Sequence, residues 1–111
     1  MCSKSQGFYG EPAKVRESEV EDYLVKCVKK LGGEVRKVKW IGRRGAPDRV
    51  VMVCGLNFFV ELKAPGKKPN EQQQREIESL KSRDVAVYVV DSINAVDQLL
   101  STIVWVTGNI K

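Results

Sequence analysis

The stretch from Asp48 to Lys63, DRVVMVCGLNFFVELK, decides the fold, because it consists of two short β-rich runs joined by Gly55-Leu56. Glycine at the first position of a two-residue loop favours a type II′ hairpin. In the register that this loop sets, Asp48 lies opposite Lys63 and diagonal to Glu61. Paired and alternate residues of a hairpin share a face, so these three side chains are predicted to project from one face. The other face then presents an apolar core of Val51, Val53, Phe58, Val60 and Leu62.

Sequence patterns on both sides of the hairpin predict a single α/β domain with a mixed central sheet flanked by helices. This domain covers residues 14–111, and residues 1–13 form an N-terminal arm. Apolar periodicity and capping residues predict the other elements in chain order: a helix from Ser18 to Gly32-Gly33, a strand over 34–41, a helix capped by Asn70 that ends near Ser82, a strand over 85–90 covered on both faces, a helix capped by Asp91 or Ser92, and a closing strand over 102–106.

Asp48, Glu61 and Lys63 form the combination with chemical meaning. Two carboxylates that lie close together repel each other unless a cation lies between them. Mg²⁺ and Mn²⁺ are hard ions that accept such oxygen ligands, polarise phosphoryl oxygens and acidify bound water. A neighbouring lysine can orient that water or stabilise charge in the transition state. The sequence therefore predicts a Mg²⁺ or Mn²⁺ site; the plainer interpretation is a turn residue followed by a surface ion pair on a strand.

Several functional classes are excluded by what the chain lacks. Its 111 residues include no histidine, so Ser-His and Cys-His nucleophile pairs and imidazole metal sites are impossible. The three cysteines show no CxxC spacing and give no zinc site. No apolar run approaches the roughly 20 residues of a membrane span, and no apolar segment of a signal peptide opens the chain. We therefore expect a cytoplasmic protein without a membrane partner.

The positive charge is unevenly distributed. The whole chain carries a formal net charge of +5, but residues 26–49 contain nine basic and two acidic residues. Such a local field attracts polyanions, although a solvated basic face would look the same in the sequence. No recognition helix spaced for base reading is evident, and Trp40 could either stack on an unpaired base or pack in the core. The candidates for contact with DNA phosphates are Lys39, Arg43, Arg44, Arg49, Lys67 and Lys68.

Two segments carry a family resemblance: GAPDRV at 45–50 and FVELKAPG at 59–66, followed by a glutamine in a helix. Together they resemble the VRR-NUC domain of the PD-(D/E)XK nuclease superfamily, in the compact stand-alone form found in bacteriophages. The resemblance covers about residues 18–91 and implies a restriction-endonuclease-like αβββαβ core. It implies that Asp48, Glu61 and the Leu62 carbonyl bind the metal and that Lys63 is the catalytic lysine. It also adds Glu21 of the first helix and Gln73 of the second helix to the site.

Glu21 and Gln73 each have a competing interpretation as helix caps. Ser18 and Glu21 have the spacing of a capping box, and so do Asn70 and Gln73. Gln72 and Gln74 flank Gln73, so the position of the family's glutamine is uncertain by one residue.

The resemblance implies a Mg²⁺- or Mn²⁺-dependent DNA endonuclease, and the phage forms imply a homodimer that resolves four-way (Holliday) junctions. Symmetric cutting of such a junction needs two active sites, whereas one chain supplies one. Phe8, Tyr9, Trp105 and Val106 are apolar residues outside the core elements; they could serve a dimer interface or simply cover the edge of the sheet. The alternatives are a nicking, flap or restriction-like nuclease on other DNA, a non-catalytic DNA-binding module, and a small protein-interaction domain.

Overall fold

The computed structural model describes residues 15–110, which form three helices and four strands. The predicted arm at 1–13 lies outside the described residues. In chain order the elements are α1 (Glu17–Lys30), β1 (Glu34–Lys37), β2 (Arg49–Val53), β3 (Leu56–Leu62), α2 (Glu71–Lys81), β4 (Val87–Val90) and α3 (Ile93–Ile110). Within the described range, no helix is long and apolar enough to cross a membrane.

The four strands form one mixed sheet in the order β1-β2-β3-β4. β1, β2 and β3 are antiparallel neighbours, whereas β4 runs parallel to β3. A parallel neighbour requires a crossover connection, and α2 provides it between β3 and β4. The α/β class with a mixed sheet and flanking helices is therefore confirmed.

The predicted register of the central hairpin is wrong by two residues. The loop is Cys54-Gly55 and not Gly55-Leu56, because Val53 pairs with Leu56 and Arg49 pairs with Val60. Both loop residues have positive φ, 55° for Cys54 and 81° for Gly55, as a type I′ turn requires. A shift of two residues preserves every face. It also places Asp48 directly opposite Glu61, where the sequence had predicted Lys63.

The main hydrophobic core lies on one face of the sheet. All five apolar hairpin residues predicted for this face are buried there. α1 and α3 cover them and contact each other. They contribute a set of buried side chains to the same cluster: Val20, Leu24, Cys27, Val28, Val96, Leu100 and Ile103.

Three predicted strands differ from the structure. β1 ends at Lys37 and does not reach residue 41, and β4 begins at Val87. β4 is covered on both faces only in part: Val87 and Val90 are buried on opposite faces, whereas Tyr88 and Val89 are exposed on this edge strand. Residues 102–106 continue α3, although the sequence had predicted a closing strand. Their β-branched residues favour a strand, but Ile103 extends the buried helical stripe of Val96 and Leu100, and tertiary packing outweighs local propensity.

α2 lies on the opposite face of the sheet. Phe59 alternates with the core residues of β3 and therefore points to this second face. The Trp40 ring packs edge-on against Phe59, with a centroid distance of 6.0 Å, and its indole N–H donates to Glu76 of α2. Asp48, Glu61 and Lys63 belong to this same face by alternation.

Candidate active site

Asp48 is fixed by the strands on both sides of it. It directly precedes β2, and its backbone carbonyl accepts a hydrogen bond of 3.1 Å from the Val38 N–H. Its Oδ2 accepts a hydrogen bond of 2.8 Å from the Leu62 N–H on β3. This side-chain bond continues the β2–β3 ladder past its last backbone pair. Oδ1 of Asp48 is the oxygen that this hydrogen bond does not use.

Glu61 is a buried carboxylate without a hydrogen bond. Its residue exposure is 0%, and neither Oε1 nor Oε2 has a hydrogen-bond partner. The Lys63 Nζ lies 3.4 Å from Oε2 and forms an ion pair with it. Burial raises the pKa of Glu61 above its ordinary value, and the charge of Asp48 raises it further, while Lys63 opposes the shift. A buried ion that lacks hydrogen bonds is costly, so this carboxylate fits a site that is completed by a cation.

The residues present fit a hard divalent ion. Asp48, directly before β2, lies next to the pair Arg49–Val60 and so faces Glu61 of β3. Both carboxylate oxygens of Glu61 are buried and have unused lone pairs. Mg²⁺ and Mn²⁺ prefer such oxygen ligands and use one or two protein carboxylates together with water and phosphate oxygens. Asp48 and Glu61 would hold the ion. The Leu62 carbonyl, which the family resemblance adds, stays a prediction.

Glu21 does not join Asp48 and Glu61. It accepts a hydrogen bond of 2.8 Å from Arg49 Nε and forms an ion pair with Nη2 of the same residue. Arg49 pairs with Val60 and so points to the face that α1 covers. Among residues 15–110 there is no group of three or more His, Cys, Asp or Glu side chains that could hold a metal ion. A metal role for Glu21 therefore stays a prediction and would require its release from Arg49.

The capping interpretation of Glu21 is wrong. α1 begins at Glu17, one residue earlier than predicted, and its N-cap is Arg16. Glu19, not Glu21, accepts the hydrogen bond from the Arg16 N–H, at 3.1 Å.

Gln73, by contrast, is a helix cap in this structure. Asn70 Oδ1 accepts from the Gln73 N–H at 2.8 Å, and Gln73 Oε1 accepts from the Asn70 N–H at 2.9 Å. This reciprocal pair is a complete capping box at the start of α2. Its place in the active site stays a prediction.

The predicted DNA-contact residues fall into two groups. Lys39, Arg44, Lys67 and Lys68 are exposed and carry the basic field near the hairpin end. Arg43 and Arg49 form ion pairs with Glu76 and Glu21, respectively. The Arg49 side chain is only 14% exposed, so Arg49 is the least accessible of the six to a phosphate.

Sequence reasoning missed Glu76. It is buried and accepts three hydrogen bonds, one from Trp40 Nε1 at 2.6 Å and two from Arg43 Nε and Nη2 at 3.1 and 3.0 Å. The Arg43 guanidinium and the Trp40 indole lower the pKa of Glu76. The only feature of the sequence that could have indicated a buried Glu76 is its position next to Ile77, which belongs to the narrow apolar stripe of α2. Trp40 itself is half-buried and packs on Phe59 on the second face of the sheet, outside the main core cluster.

Comparisons with known proteins agree with this architecture. No family model matches the chain. The chain is 46% identical over 79 residues to "Putative nuclease p44" of Acyrthosiphon pisum secondary endosymbiont phage 1, and the match covers 70% of this chain and 85% of that protein. A solved structure described as a VRR_NUC domain is similar with a TM-score of 0.72 and 40% sequence identity, over 77% of this chain and 94% of that one. This chain belongs to the VRR-NUC family of nucleases.

Proposed function

We propose that this protein is a metal-dependent endonuclease that hydrolyses phosphodiester bonds in DNA. The observation that carries the proposal is the buried Glu61 carboxylate, which lacks hydrogen bonds, faces Asp48 and has Lys63 beside it. A structural carboxylate would be expected to have its lone pairs satisfied. The name of the phage relative and the description of the similar domain support the nuclease part of this proposal.

Each side chain has a distinct task in this proposal. A bound Mg²⁺ or Mn²⁺ would polarise a phosphate oxygen and lower the pKa of water. Asp48 and Glu61 provide the negative oxygens, and the hydrogen bond from the Leu62 N–H fixes the orientation of Asp48. The Lys63 side chain is 18% exposed, so its ammonium group lies between the buried Glu61 and solvent, where a DNA phosphate would approach. There it orients the attacking water and stabilises the negative charge that develops on the phosphate.

The preferred substrate in this proposal is a four-way DNA junction, and the active form is a homodimer. Phosphate contacts without a base-reading helix favour recognition of DNA shape. A pair of symmetric cuts requires two active sites related by a two-fold axis. One surface suits self-association: Tyr88 and Val89 of the edge strand are exposed beside a groove of about 320 Å³ between β4 and α3. Trp105 and Val106 of α3 are also exposed. Such a nuclease would act in the cytoplasm of the host cell.

The test is cleavage of a labelled four-way junction and a matched linear duplex in Mg²⁺, Mn²⁺ or EDTA, by the wild type and by Lys63→Ala. We expect paired nicks in the junction that disappear in EDTA and in the variant. Equal cleavage of both substrates would retain the nuclease and reject the resolvase. Binding without cleavage in every metal would leave a DNA-binding module. Sedimentation of the protein alone and with junction DNA would test the dimer.

A further inference from the structure

A second concave site lies beside the candidate active site, between the turn at 42–45 and the first turns of α2. We propose that it binds a phosphate group of the DNA substrate, away from the Asp48–Glu61 pair. This inference rests on the proposed function and names a further contact for the same substrate. The site, here called the arginine pocket, has a volume of about 440 Å³. It is lined by Gly42, Arg43, Arg44, Gln72, Arg75 and Glu76.

The charges in the arginine pocket select an anion. Three arginines face a single carboxylate, and Arg43 already neutralises that carboxylate, Glu76. Arg44 forms no ion pair within residues 15–110. Arg75 has only a long, 4.0 Å contact with Glu71, whose side chain is 94% exposed, and exposed pairs of this kind contribute little. Two guanidinium groups therefore remain available, and their planar donor forks match phosphate oxygens.

Arg43 is held in place before any ligand binds. Its Nε and Nη2 both donate to Glu76 Oε1, while the other carboxylate oxygen accepts from Trp40. The Arg43 side chain is nevertheless 65% exposed, and Nη1 is not used by Glu76. A fixed guanidinium with a free donor costs less entropy to bind than a mobile one.

Side-chain contacts connect the arginine pocket to the candidate active site. Trp40 joins Glu76 to Phe59, which lies two residues before Glu61 on the same face of β3. The turn itself leads through Pro47 to Asp48. Gly45 packs so closely on α2 that an added Cβ would lie 3.1 Å from the Gln72 carbonyl oxygen. A continuous chain of packed residues therefore links the arginine pocket to the strand that carries Glu61.

The size and lining of the pocket fit a nucleotide phosphate. Its volume falls within the range of about 300–1,000 Å³ that is typical of small-molecule sites, so it can accept a phosphate with part of its sugar. The lining consists of three arginines, one glutamine, one glycine and Glu76, and most of its surface is polar, which suits a charged ligand better than a lipid. A strand of DNA presents a phosphate at every nucleotide, so a polyanion can occupy this pocket and the metal site together.

The experiment measures DNA binding by fluorescence anisotropy in EDTA, in a Lys63→Ala background, so that no cleavage occurs. Arg44→Gln and Arg75→Gln each remove one charge from the pocket at an exposed position, so neither threatens the fold. Lys81→Gln removes one exposed charge from the other end of α2 and is the matched control. The labelled duplex carries either a 5′-phosphate or a 5′-hydroxyl group, which separates a terminal phosphate from an internal one.

We expect each pocket variant to weaken DNA binding about 3- to 10-fold. The slope of the logarithm of the association constant against the logarithm of the salt concentration should become shallower by about one. Lys81→Gln should bind as tightly as its parent. A loss confined to the 5′-phosphorylated duplex assigns the pocket to a terminal phosphate, and an equal loss on both duplexes assigns it to an internal phosphodiester. Unchanged affinity and slope in both pocket variants would overturn the proposal.

Cleavage by the otherwise wild-type protein, measured in parallel, separates the two proposals. Cleavage together with unchanged binding of the pocket variants would reject the pocket alone. Binding that depends on Arg44 and Arg75, without cleavage in any metal, would reject the nuclease and retain the pocket. A parent protein that does not bind DNA would reject both.

Discussion

Glu61 and Glu76 are the two buried carboxylates of the described chain, and their surroundings are opposite. Glu76 accepts three hydrogen bonds from Trp40 and Arg43, and its pKa is lowered. Glu61 accepts none, has one lysine at 3.4 Å, and its pKa is raised by burial. Both lie on the face of the sheet that α2 borders. This difference is what the proposed function predicts: Glu76 holds α2 to the turn, and Glu61 is left to bind a cation.

The contrast between Glu61 and Glu76 also predicts different roles for two parts of this face of the sheet. Glu76 fixes the turn at 42–45 on α2 and thereby the approach of the chain to Asp48. Burial and the charge of Asp48 raise the pKa of Glu61 more than Lys63 lowers it, a cost that native proteins accept at functional sites. We therefore expect substitutions at Glu61 to act on activity and substitutions at Glu76 to act on stability.

The largest effect is expected from Glu61→Gln in the cleavage assay. An amide of the same shape removes one negative charge from the metal site, and electrostatic stabilisation by a metal is worth several kcal/mol. We expect a loss of about 10³-fold in the rate of junction or duplex cleavage, with the circular-dichroism spectrum unchanged. Asp48→Asn should show a comparable loss. Cleavage by Glu61→Gln within tenfold of the wild type would remove Glu61 from the site.

Glu76→Gln should reverse that pattern. The amide nitrogen cannot accept a hydrogen bond, so either Arg43 or the Trp40 indole loses its acceptor. An unsatisfied buried polar group costs about 1–3 kcal/mol, which lowers the melting temperature of a domain of this size by about 4–8 °C per kcal/mol. The matched control is Glu78→Gln, two residues further along α2 and exposed. Equal melting temperatures for the two variants would contradict the structural role of Glu76.

The pH dependence of stability sharpens the comparison. In the metal-free protein the pKa of Glu61 lies above its ordinary value of 4.5, so the folded state binds this proton more tightly than the unfolded state. Between 4.5 and the raised pKa the folded state binds more protons, and the stability therefore falls as pH rises. Glu76 has the opposite shift, and its contribution is lost as pH falls below 4.5.

Glu61→Gln separates the contribution of Glu61 to the pH dependence of stability from the contributions of the other titratable groups. In EDTA, the melting temperature of Glu61→Gln relative to the wild type should rise with pH above 4.5, so that the variant is the more stable protein at neutral pH. Below pH 4.5 the advantage should disappear, because the wild-type carboxyl is then protonated in both states. A difference in melting temperature that stays constant across this pH range would show that the ionisation of Glu61 does not destabilise the folded protein. Added Mg²⁺ or Mn²⁺ should raise the melting temperature of the wild type only, because ligand binding stabilises the folded state.

Sequence patterns identified the faces of the sheet better than its turns. The period of two placed Asp48 and Glu61 on one face and the apolar residues of the hairpin on the other. This prediction survived a register error of two residues. The error arose at Cys54, because a non-glycine residue with a positive φ is uncommon and glycine alone marked the turn. Local pattern was similarly misleading over 102–106, where contacts with the core keep the chain helical.

The contacts around Glu76 could not be predicted from the sequence. Arg43 and Trp40 precede Glu76 by 33 and 36 residues, and no local spacing connects them. The pairing of Glu21 with Arg49 is similarly long-range. Capping of α2 by Asn70 and Gln73 was predictable because both residues lie within one turn. The role of a side chain whose partners are distant in the sequence can be predicted only when the fold is known.

Gly45→Ala tests the contact between the turn and α2, and its excess effect over Gly42→Ala is the smallest difference expected here. Gly45 has φ of +91°, and a Cβ at this position would lie 3.1 Å from the Gln72 carbonyl oxygen and 3.3 Å from the Glu76 Cβ. Gly42 has a similar φ of +79° but nothing within 4 Å, so Gly42→Ala bears the conformational cost of about 1–2 kcal/mol alone. The excess loss of stability in Gly45→Ala then measures how tightly the turn packs on α2. Because that packing positions the arginine pocket, Gly45→Ala should also weaken DNA binding more than Gly42→Ala does. Equal stability and equal DNA affinity of the two alanine variants would show that the turn and α2 are not coupled.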